Sequence, residues 1–264
     1  MAVQLLSGEL KAIFDPEKGM NLLSYSKGGL EVIDPATDSL FRERFAGKGA
    51  LIGPHFHQRP KARVKPISNP SAFPHLKFME GRPDPFSHGI ARYVPWKFEA
   101  DQTSIRAKLS GKDLYQEMKL ADIEGQNFEL DFRATLTDRL HIEYSVVSDT
   151  DSVVGLHTYY RLVNGKGVVR SKVKEEPFDL ALELDKPYDL NFHPFRPREG
   201  SIALETIDYS LAIEYKAPSE EISWQLFHPQ GATFVCLEPI SAYNPRSPHL
   251  TSSSIEVNIE IFKN

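Results

Sequence analysis

Residues 154–162, which read VGLHTYYRL, place three polar side chains where they could act together. Successive side chains of an extended strand point to opposite faces, so His157, Tyr159 and Arg161 share one face with Gly155. An imidazole, a phenol and a guanidinium beside a residue without a side chain could form the floor of a ligand site. The alternative interpretation is the solvent-facing side of an ordinary strand.

A carboxylate ends a second apolar segment, residues 232–239, which read ATFVCLEP. Glu238 precedes a proline and the polar stretch at residues 241–249. A carboxylate at the rim of a buried strand can have a raised pKa and act as a general base. An ordinary charge at a strand end is the alternative.

A histidine and an arginine stand four residues apart in a third segment, residues 87–96, which read SHGIARYVPW. His88 and Arg92 flank Gly89, where the backbone could approach a ligand closely. The face of Trp96 could stack on the apolar C–H face of a sugar ring, or the residue could belong to the core.

The elements that must position these residues are predicted by alternation of apolar and polar residues, which is typical of half-buried strands. The clearest case is a hairpin with strands at residues 128–136 and 140–146, joined by a turn at residues 137–139. Further strands are predicted at residues 22–25, 30–33, 211–215, 222–227, 233–237 and 255–261. Residues 113–123 are the one candidate helix of note. Many strands without intervening helices favour an all-β antiparallel sandwich or barrel, with under a fifth of the chain helical.

Residues 54–95 differ from the rest of the chain, because they contain eight of the 19 prolines and four of the nine histidines. Prolines interrupt sheet ladders, so loop and edge structure is predicted. A long loop of this kind can line a pocket, whereas a solvated surface excursion is the alternative. His55 and His57 could begin a cupin-type metal site, but that site needs a nearby glutamate and residues 59–63 read RPKAR. No metal is therefore expected.

The composition fits a single domain of residues 1–264, since 41% of the residues are hydrophobic and can build a large core. A net charge of −5 argues against a nucleic-acid surface. No apolar run reaches the ~20 residues of a membrane span, and no secretory signal is visible, so a cytoplasmic protein is expected. The single cysteine, Cys236, excludes an internal disulfide and a zinc site built on cysteines.

Three motifs in this order resemble the aldose 1-epimerase (galactose mutarotase-like) superfamily, most closely its glucose-6-phosphate 1-epimerase branch. They are HGIAR at residues 88–92 followed by Trp96, HTYYR at 157–161 and VCLEP at 235–239. Residues 19–33 resemble the opening of that family, and the resemblance extends over nearly the whole chain. It implies a large antiparallel β-sandwich, the galactose mutarotase-like supersandwich, with an open cleft on one sheet.

The resemblance also implies an isomerase that interconverts the α and β anomers of a hexose or hexose phosphate by acid–base ring opening, without a cofactor. Glu238 matches the family's base, which takes the anomeric proton, and His157 matches the acid, which protonates the ring oxygen. His88 matches a second histidine that holds the substrate. Asp189 matches an aspartate that binds sugar hydroxyls.

Two arginines, Arg59 and Arg92, are further candidates for substrate binding. Residues 48–54 read KGALIGP, where the phosphate-sugar epimerases carry an arginine and a GGIP run before FP. The phosphate cradle of that branch is therefore not evident, and Lys48, Arg59, Arg63 and Arg92 are the cations that could replace it.

The principal alternative is a carbohydrate-binding protein on the same fold without turnover, although a pure binder needs neither an acid nor a base. A different enzyme on this fold, such as a polysaccharide-processing protein, is less favoured, since no appended domain or secretion signal is visible. The expected partner is a small sugar or sugar phosphate, with no nucleic acid and no membrane. The expected assembly is a monomer or weak homodimer.

Overall fold

The computed structural model describes residues 1–173, 176–195, 198–218 and 222–264. The fold is all-β, with 48% of the chain in strands and 14% in helices, as the alternation predicts. The strands are β1 (Val3–Ser7), β2 (Leu10–Asp15), β3 (Asn21–Lys27), β4 (Leu30–Glu31), β5 (Gly49–Ile52), β6 (Lys97–Ala100), β7 (Ser104–Ser110), β8 (Leu114–Tyr115), β9 (Met118–Lys119), β10 (Phe128–Leu136), β11 (Leu140–Ser148), β12 (Gly155–Arg161), β13 (Gly167–Val173), β14 (Glu176–Leu182), β15 (Tyr188–Phe195), β16 (Glu199–Glu205), β17 (Tyr209–Lys216), β18 (Ile222–His228), β19 (Phe234–Ile240) and β20 (Ser252–Lys263).

The helices are short. The α-helices of the described residues are α1 (Asp38–Arg44) and α2 (Leu120–Glu124). The 3-10 helices lie at Pro16–Lys18, Pro35–Thr37, Lys61–Arg63, Pro70–Ala72, Pro74–Phe78, Ile90–Arg92 and Val163–Gly165. Among these described elements, no helix has the length and apolar character needed to cross a membrane.

Two nine-stranded antiparallel sheets form the body of the molecule. The first sheet has the order β1-β2-β3-β5-β12-β19-β18-β15, with β4 paired to β3. The second has the order β14-β13-β16-β17-β20-β11-β10-β7-β6, and β8 and β9 form a separate hairpin. The sheets therefore pair strands that are far apart in sequence, which brings distant segments to one surface.

The core lies between the two sheets, because alternate side chains of their strands point inward. Phe14 of the first sheet packs edge-on against Phe132 of the second, with ring centroids 5.8 Å apart. The hydroxyl of Tyr25 donates a hydrogen bond of 2.8 Å to the carbonyl of Ile259 across the interface. These contacts make the molecule a β-sandwich, as predicted.

Trp96 belongs to this core. Its side chain is 4% exposed, its indole N–H donates to the carbonyl of Ala91 at 2.9 Å, and its ring lies 6.2 Å from that of Tyr144. The core interpretation of Trp96 is therefore the correct one, and stacking on a sugar is not.

Residues 54–95 form no strand and pack as a structured loop. His75 is buried among aromatic rings, stacked on Tyr93 at 4.1 Å and edge-on to Phe86 at 5.3 Å. Burial lowers the pKa of His75 to about 4, so the ring is neutral and acts as an aromatic residue. Phe86 and Tyr93 belong to the main hydrophobic core, so the loop packs against the body of the sandwich.

Candidate active site

The middle strands of the first sheet place a histidine and a carboxylate side by side. Thr158 pairs with Leu237 across β12 and β19, and the same register places His157 opposite Glu238. The Nε2 atom of His157 lies 3.2 Å from Oε1 of Glu238. Both side chains are almost fully buried, with Glu238 at 1% exposure.

The two strands beyond β19 add further polar groups to the same surface. Gln225 of β18 pairs directly with Glu238. Its Nε2 atom donates a 3.4 Å hydrogen bond to Oδ1 of Asp189 on β15. Four neighbouring strands thus carry polar side chains in sequence: Asp189 on β15, Gln225 on β18, Glu238 on β19 and His157 on β12.

A cleft of about 450 Å³ lies over this part of the sheet. Its lining includes five of the residues that the sequence indicates, namely His88, Arg92, His157, Asp189 and Glu238. The volume lies within the ~300–1,000 Å³ typical of small-molecule sites.

Arg59 is the exception, and its predicted contact with substrate is corrected by its position. Its Nε and NH2 atoms donate to Asp84 at 2.9 and 2.7 Å, and NH1 donates to the carbonyl of Ile123 at 2.5 Å. A guanidinium that is buried and bonded in this way has no donor directed at the cleft, and Arg59 does not line it. Its role in the structure is to hold the loop of residues 54–95.

The cations of the cleft differ from those expected. Arg63 donates to Gln126 at 2.7 Å, away from the cleft, and Nζ of Lys48 lies 3.5 Å from Asp38. Besides Arg92, the cleft is lined by three arginines that the sequence did not indicate: Arg44, Arg82 and Arg246. They come from α1 and from two separate loops, so no local motif reveals them.

Several buried polar atoms of the cleft find no hydrogen-bond partner among the described residues. They are Oε2 of Glu238, Nδ1 of His157, NH2 of Arg92, Oε1 of Gln225 and Nε of Arg44. More than about nine in ten buried polar groups in proteins are paired. Five unpaired groups in one cleft therefore indicate a polar ligand that supplies both donors and acceptors.

Burial sets the protonation of the central pair. It raises the pKa of Glu238 to about 8, against the opposing effect of the positive charge of Arg92. Burial, and then the charge of Arg92, hold the pKa of His157 well below its ordinary value of 6.5. Near pH 7 the pair is therefore a protonated carboxyl group beside a neutral imidazole.

His57 and His88 enter the cleft from the loop. Both have left-handed backbone conformations, with φ of 59° and 66°, which are uncommon for residues other than glycine. The ring of His88 lies 5.8 Å from that of His57 and 5.2 Å from that of His157. Loss of hydration, followed by the charge of Arg92, keeps the pKa of His88 well below 6.5.

The sequence suggests that Gly89 lets the backbone approach a ligand, but in the structure the glycine serves a contact within the protein. Its φ is 84°, and a Cβ atom there would lie 1.9 Å from the carbonyl oxygen of Gly53. The glycine is therefore required where two stretches of protein backbone cross, directly after His88.

His55 anchors the loop, unlike His57. Its Nδ1 lies 2.5 Å from Oε1 of Glu124, and its Nε2 lies 3.5 Å from Asp84. The other oxygen of Glu124 accepts a 3.1 Å hydrogen bond from the backbone N–H of Ile90. The two histidines of the His-x-His pair thus point to different surroundings, His55 to the carboxylates of Glu124 and Asp84 and His57 to the cleft.

Comparison with solved structures identifies the fold as galactose mutarotase-like over the whole chain. A candidate aldose 1-epimerase from Escherichia coli has a TM-score of 0.70 at 14% identity, covering 100% of this chain and 99% of the other. A galactose mutarotase-like protein from Clostridium acetobutylicum has a TM-score of 0.65 at 13% identity, covering 100% and 95%.

A galactose 1-epimerase from Lactobacillus acidophilus has a TM-score of 0.58 at 14% identity, covering 100% and 94%. No protein-family model and no curated protein sequence matches the chain. The structural likeness confirms the predicted β-sandwich class at the level of the fold.

Proposed function

We propose that this protein is an aldose 1-epimerase-type isomerase that interconverts the α and β anomers of a hexose or hexose phosphate. The observation that carries the proposal is the His157–Glu238 pair at the floor of the cleft, 3.2 Å apart, with the remaining polar atom of each group buried and without a partner. The reaction class comes from the names of the structural neighbours, two of which are described as aldose or galactose 1-epimerases.

The reaction needs one proton removed and one proton delivered. A base takes the proton from the anomeric hydroxyl while an acid protonates the ring oxygen, and the ring opens to the aldehyde. Rotation about the C1–C2 bond and closure of the ring on the other face of the aldehyde give the second anomer. Glu238 acts as the base and His157 as the acid in the ring-opening direction, and the roles reverse on closure.

The pair supplies both functions because it shares one proton. In the free cleft burial keeps this proton on Glu238, since that arrangement leaves no charge on either group. Transfer to His157 across the 3.2 Å contact produces a carboxylate and an imidazolium, which are the base and the acid that ring opening needs. Sugar hydroxyls donating to the carboxylate favour this second arrangement; the charge of Arg92 stabilises its carboxylate but opposes its imidazolium.

Asp189, Gln225 and His88 surround the pair and are suited to hold the remaining hydroxyls of a sugar ring. Asp189 accepts hydrogen bonds, whereas the amide of Gln225 can both donate and accept. The arginines Arg82 and Arg246 line the same cleft and could bind the phosphate of a hexose phosphate. This arrangement replaces the phosphate cradle that residues 48–54 lack.

A sugar-binding protein without turnover is the alternative function, and variants of the pair distinguish the two. Glu238→Gln and His157→Asn keep the shape of the side chains but remove the titrating groups. Each is expected to lower kcat by about 100-fold or more with sugar binding retained, because general acid–base catalysis contributes 10²–10⁴-fold. The double variant should be little slower than either single one, since both groups serve one reaction coordinate.

The matched controls are Glu129→Gln and His141→Asn, on the other sheet, where Glu129 is largely exposed. They should leave kcat unchanged. If wild-type protein binds sugars but accelerates no interconversion, the binding-protein function replaces the epimerase.

A further inference from the structure

A third potential metal ligand lies directly beneath the catalytic pair. Cys236 stands two residues before Glu238 on β19, so both side chains point to the same face. Cys236 pairs with Tyr159 of β12. Tyr159 lies two residues after His157, so both point to the same face of the sheet. The ligating atoms of His157, Cys236 and Glu238 all lie within 4.8 Å of one another, and all three residues are buried.

Sulfur, imidazole nitrogen and carboxylate oxygen are the donor atoms that zinc uses in proteins, and three protein ligands with one open position are typical of accessible zinc sites. The unpaired Oε2 of Glu238, a buried atom of the same carboxylate, is independent evidence that this group awaits a ligand. Cys236 does not itself line the cleft, so a bound sugar would contact His157 and Glu238 but not the sulfur. The thiol therefore has no part in the proposed epimerase reaction.

We propose that a zinc-like divalent cation binds between His157, Cys236 and Glu238 and inhibits the enzyme. Zn–N, Zn–O and Zn–S bonds of about 2.0–2.3 Å put tetrahedral ligands about 3.3–3.8 Å apart. The 3.2 Å between Nε2 of His157 and Oε1 of Glu238 is about 0.1 Å below the lower end of this range, and the sulfur reaches the range by a movement of about 1 Å. The cation enters from the cleft, which both other ligands line.

Binding removes the proton from the thiol and the proton shared by the pair, and both pass to solvent as the cation takes their place. The bound cation then coordinates both His157 and Glu238, so neither can act as an acid or a base and turnover stops. Magnesium and calcium ions prefer sets of oxygen ligands and should not inhibit in this way. The inhibitory effect rests on the proposed function, whereas binding of the cation does not.

Cobalt(II) tests the binding without any turnover, because a cobalt–thiolate bond gives a charge-transfer absorption in the near ultraviolet. We expect this band when Co²⁺ is added to wild-type protein, its loss when Zn²⁺ is added, and no band for Cys236→Ser. Cys236→Ala serves as a second variant should a buried serine disturb folding. His141→Gln is the control, because His141 lies 3.6 Å from Glu143 on the surface without a sulfur. Absence of the band in wild type, or its persistence in Cys236→Ser, overturns the proposal.

Zinc inhibition provides the second measurement. Without zinc, Cys236→Ser should turn over like wild type, and a chelator should leave wild-type activity intact. The zinc concentration for half inhibition should rise at least about tenfold in Cys236→Ser, since loss of even an outer partner of a metal ligand costs 10–100-fold in affinity. Equal inhibition of both proteins overturns the proposal. A cobalt band in a wild-type protein that turns over no sugar overturns the epimerase function alone.

Discussion

In the proposed reaction one proton serves both Glu238 and His157, whose Oε1 and Nε2 atoms lie 3.2 Å apart. When two ionisable groups share a proton, the apparent pKa values belong to the pair and not to either residue. The singly protonated pair contains one acid and one base whichever group carries the proton. Loss of that proton removes the acid, and uptake of a second proton removes the base.

The rate should therefore fall on the alkaline side of a pH profile. As the pH rises through about 8, the pair loses its proton and His157 can no longer protonate the ring oxygen. Tyr159 and Cys236 do not account for this limb, since burial keeps the pKa of each well above its ordinary value. The measurement is kcat/KM from pH 5 to 10 after subtraction of spontaneous mutarotation. A rate that increases steadily up to pH 10 contradicts the shared proton.

The free energy of unfolding should also depend on pH through Glu238. The pKa of Glu238 in the folded protein, about 8, is above its ordinary value of 4.5, so the folded state binds the proton more tightly. The stabilisation by this proton is complete below pH 4.5 and is lost as the pH rises through 8. Relative to Glu238→Gln, wild type should lose up to about 4 kcal/mol over that interval, since one pKa unit is worth about 1.36 kcal/mol.

Denaturant unfolding of both proteins at pH 5, 7 and 9 measures this difference. Glu129→Gln, where the carboxylate is exposed, should follow wild type at every pH. A constant difference between wild type and Glu238→Gln would show that the carboxyl ionises normally in the folded protein.

Individual residues of the cleft were predictable from the sequence where they stood in motifs. His157 and Glu238 belong to distinctive segments, and the sheet register brings them together. Arg44, Arg82 and Arg246 were not predictable, because each is a single arginine whose proximity to the cleft depends on long-range packing. Arg59 was misassigned for the same reason, since its partner Asp84 is 25 residues away.

At the scale of elements, a buried polar network fixes the loop that carries His88. His55, Arg59, Asp84 and Glu124 join this loop to α2 through short contacts. Glu124 also accepts a hydrogen bond from the backbone of Ile90, two residues after His88. The network therefore holds the strained backbone of His88 in the orientation that faces His157.

Glu124→Gln should destabilise the loop, because it removes the charged partner of His55 while keeping an acceptor for Ile90. We expect a loss of about 1–3 kcal/mol in the free energy of unfolding, the usual effect of leaving a buried polar group unsatisfied. Protease cleavage within residues 54–95 should also become faster. The matched control is Asp122→Asn on the exposed side of α2. Equal behaviour of the two variants would show that the network does not anchor the loop.

Long strands were predictable and short elements were not. The hairpin of β10 and β11 was predicted because its alternation extends over nine residues in each strand. The helix predicted at residues 113–123 is wrong over most of its length, since residues 114–119 form the β8–β9 hairpin with positive φ at Gln116 and Glu117. The unpredicted helix α1 spans seven residues and buries only Phe41, too little for a periodic signal.

At the scale of the whole molecule, both sheets contribute to one core. The contacts of Phe14 with Phe132 and of Tyr25 with Ile259 cross the interface, so neither sheet can keep its inner face buried alone. We therefore predict one cooperative unfolding transition, in agreement with a single domain. Coincident far-ultraviolet circular dichroism and tryptophan fluorescence curves would show this. Two separated transitions would show that the chain contains independent units.

The most direct test of the central claim is exchange between the anomeric proton signals of sugars, followed by NMR in the presence of the protein. The panel consists of neutral hexoses and hexose 6-phosphates, with the spontaneous rate measured alongside. Wild type should accelerate exchange for at least one of these sugars, and Glu238→Gln should lose about two orders of magnitude of that acceleration. Exchange that is as fast with Glu238→Gln as with wild type would contradict the assignment of the base to Glu238.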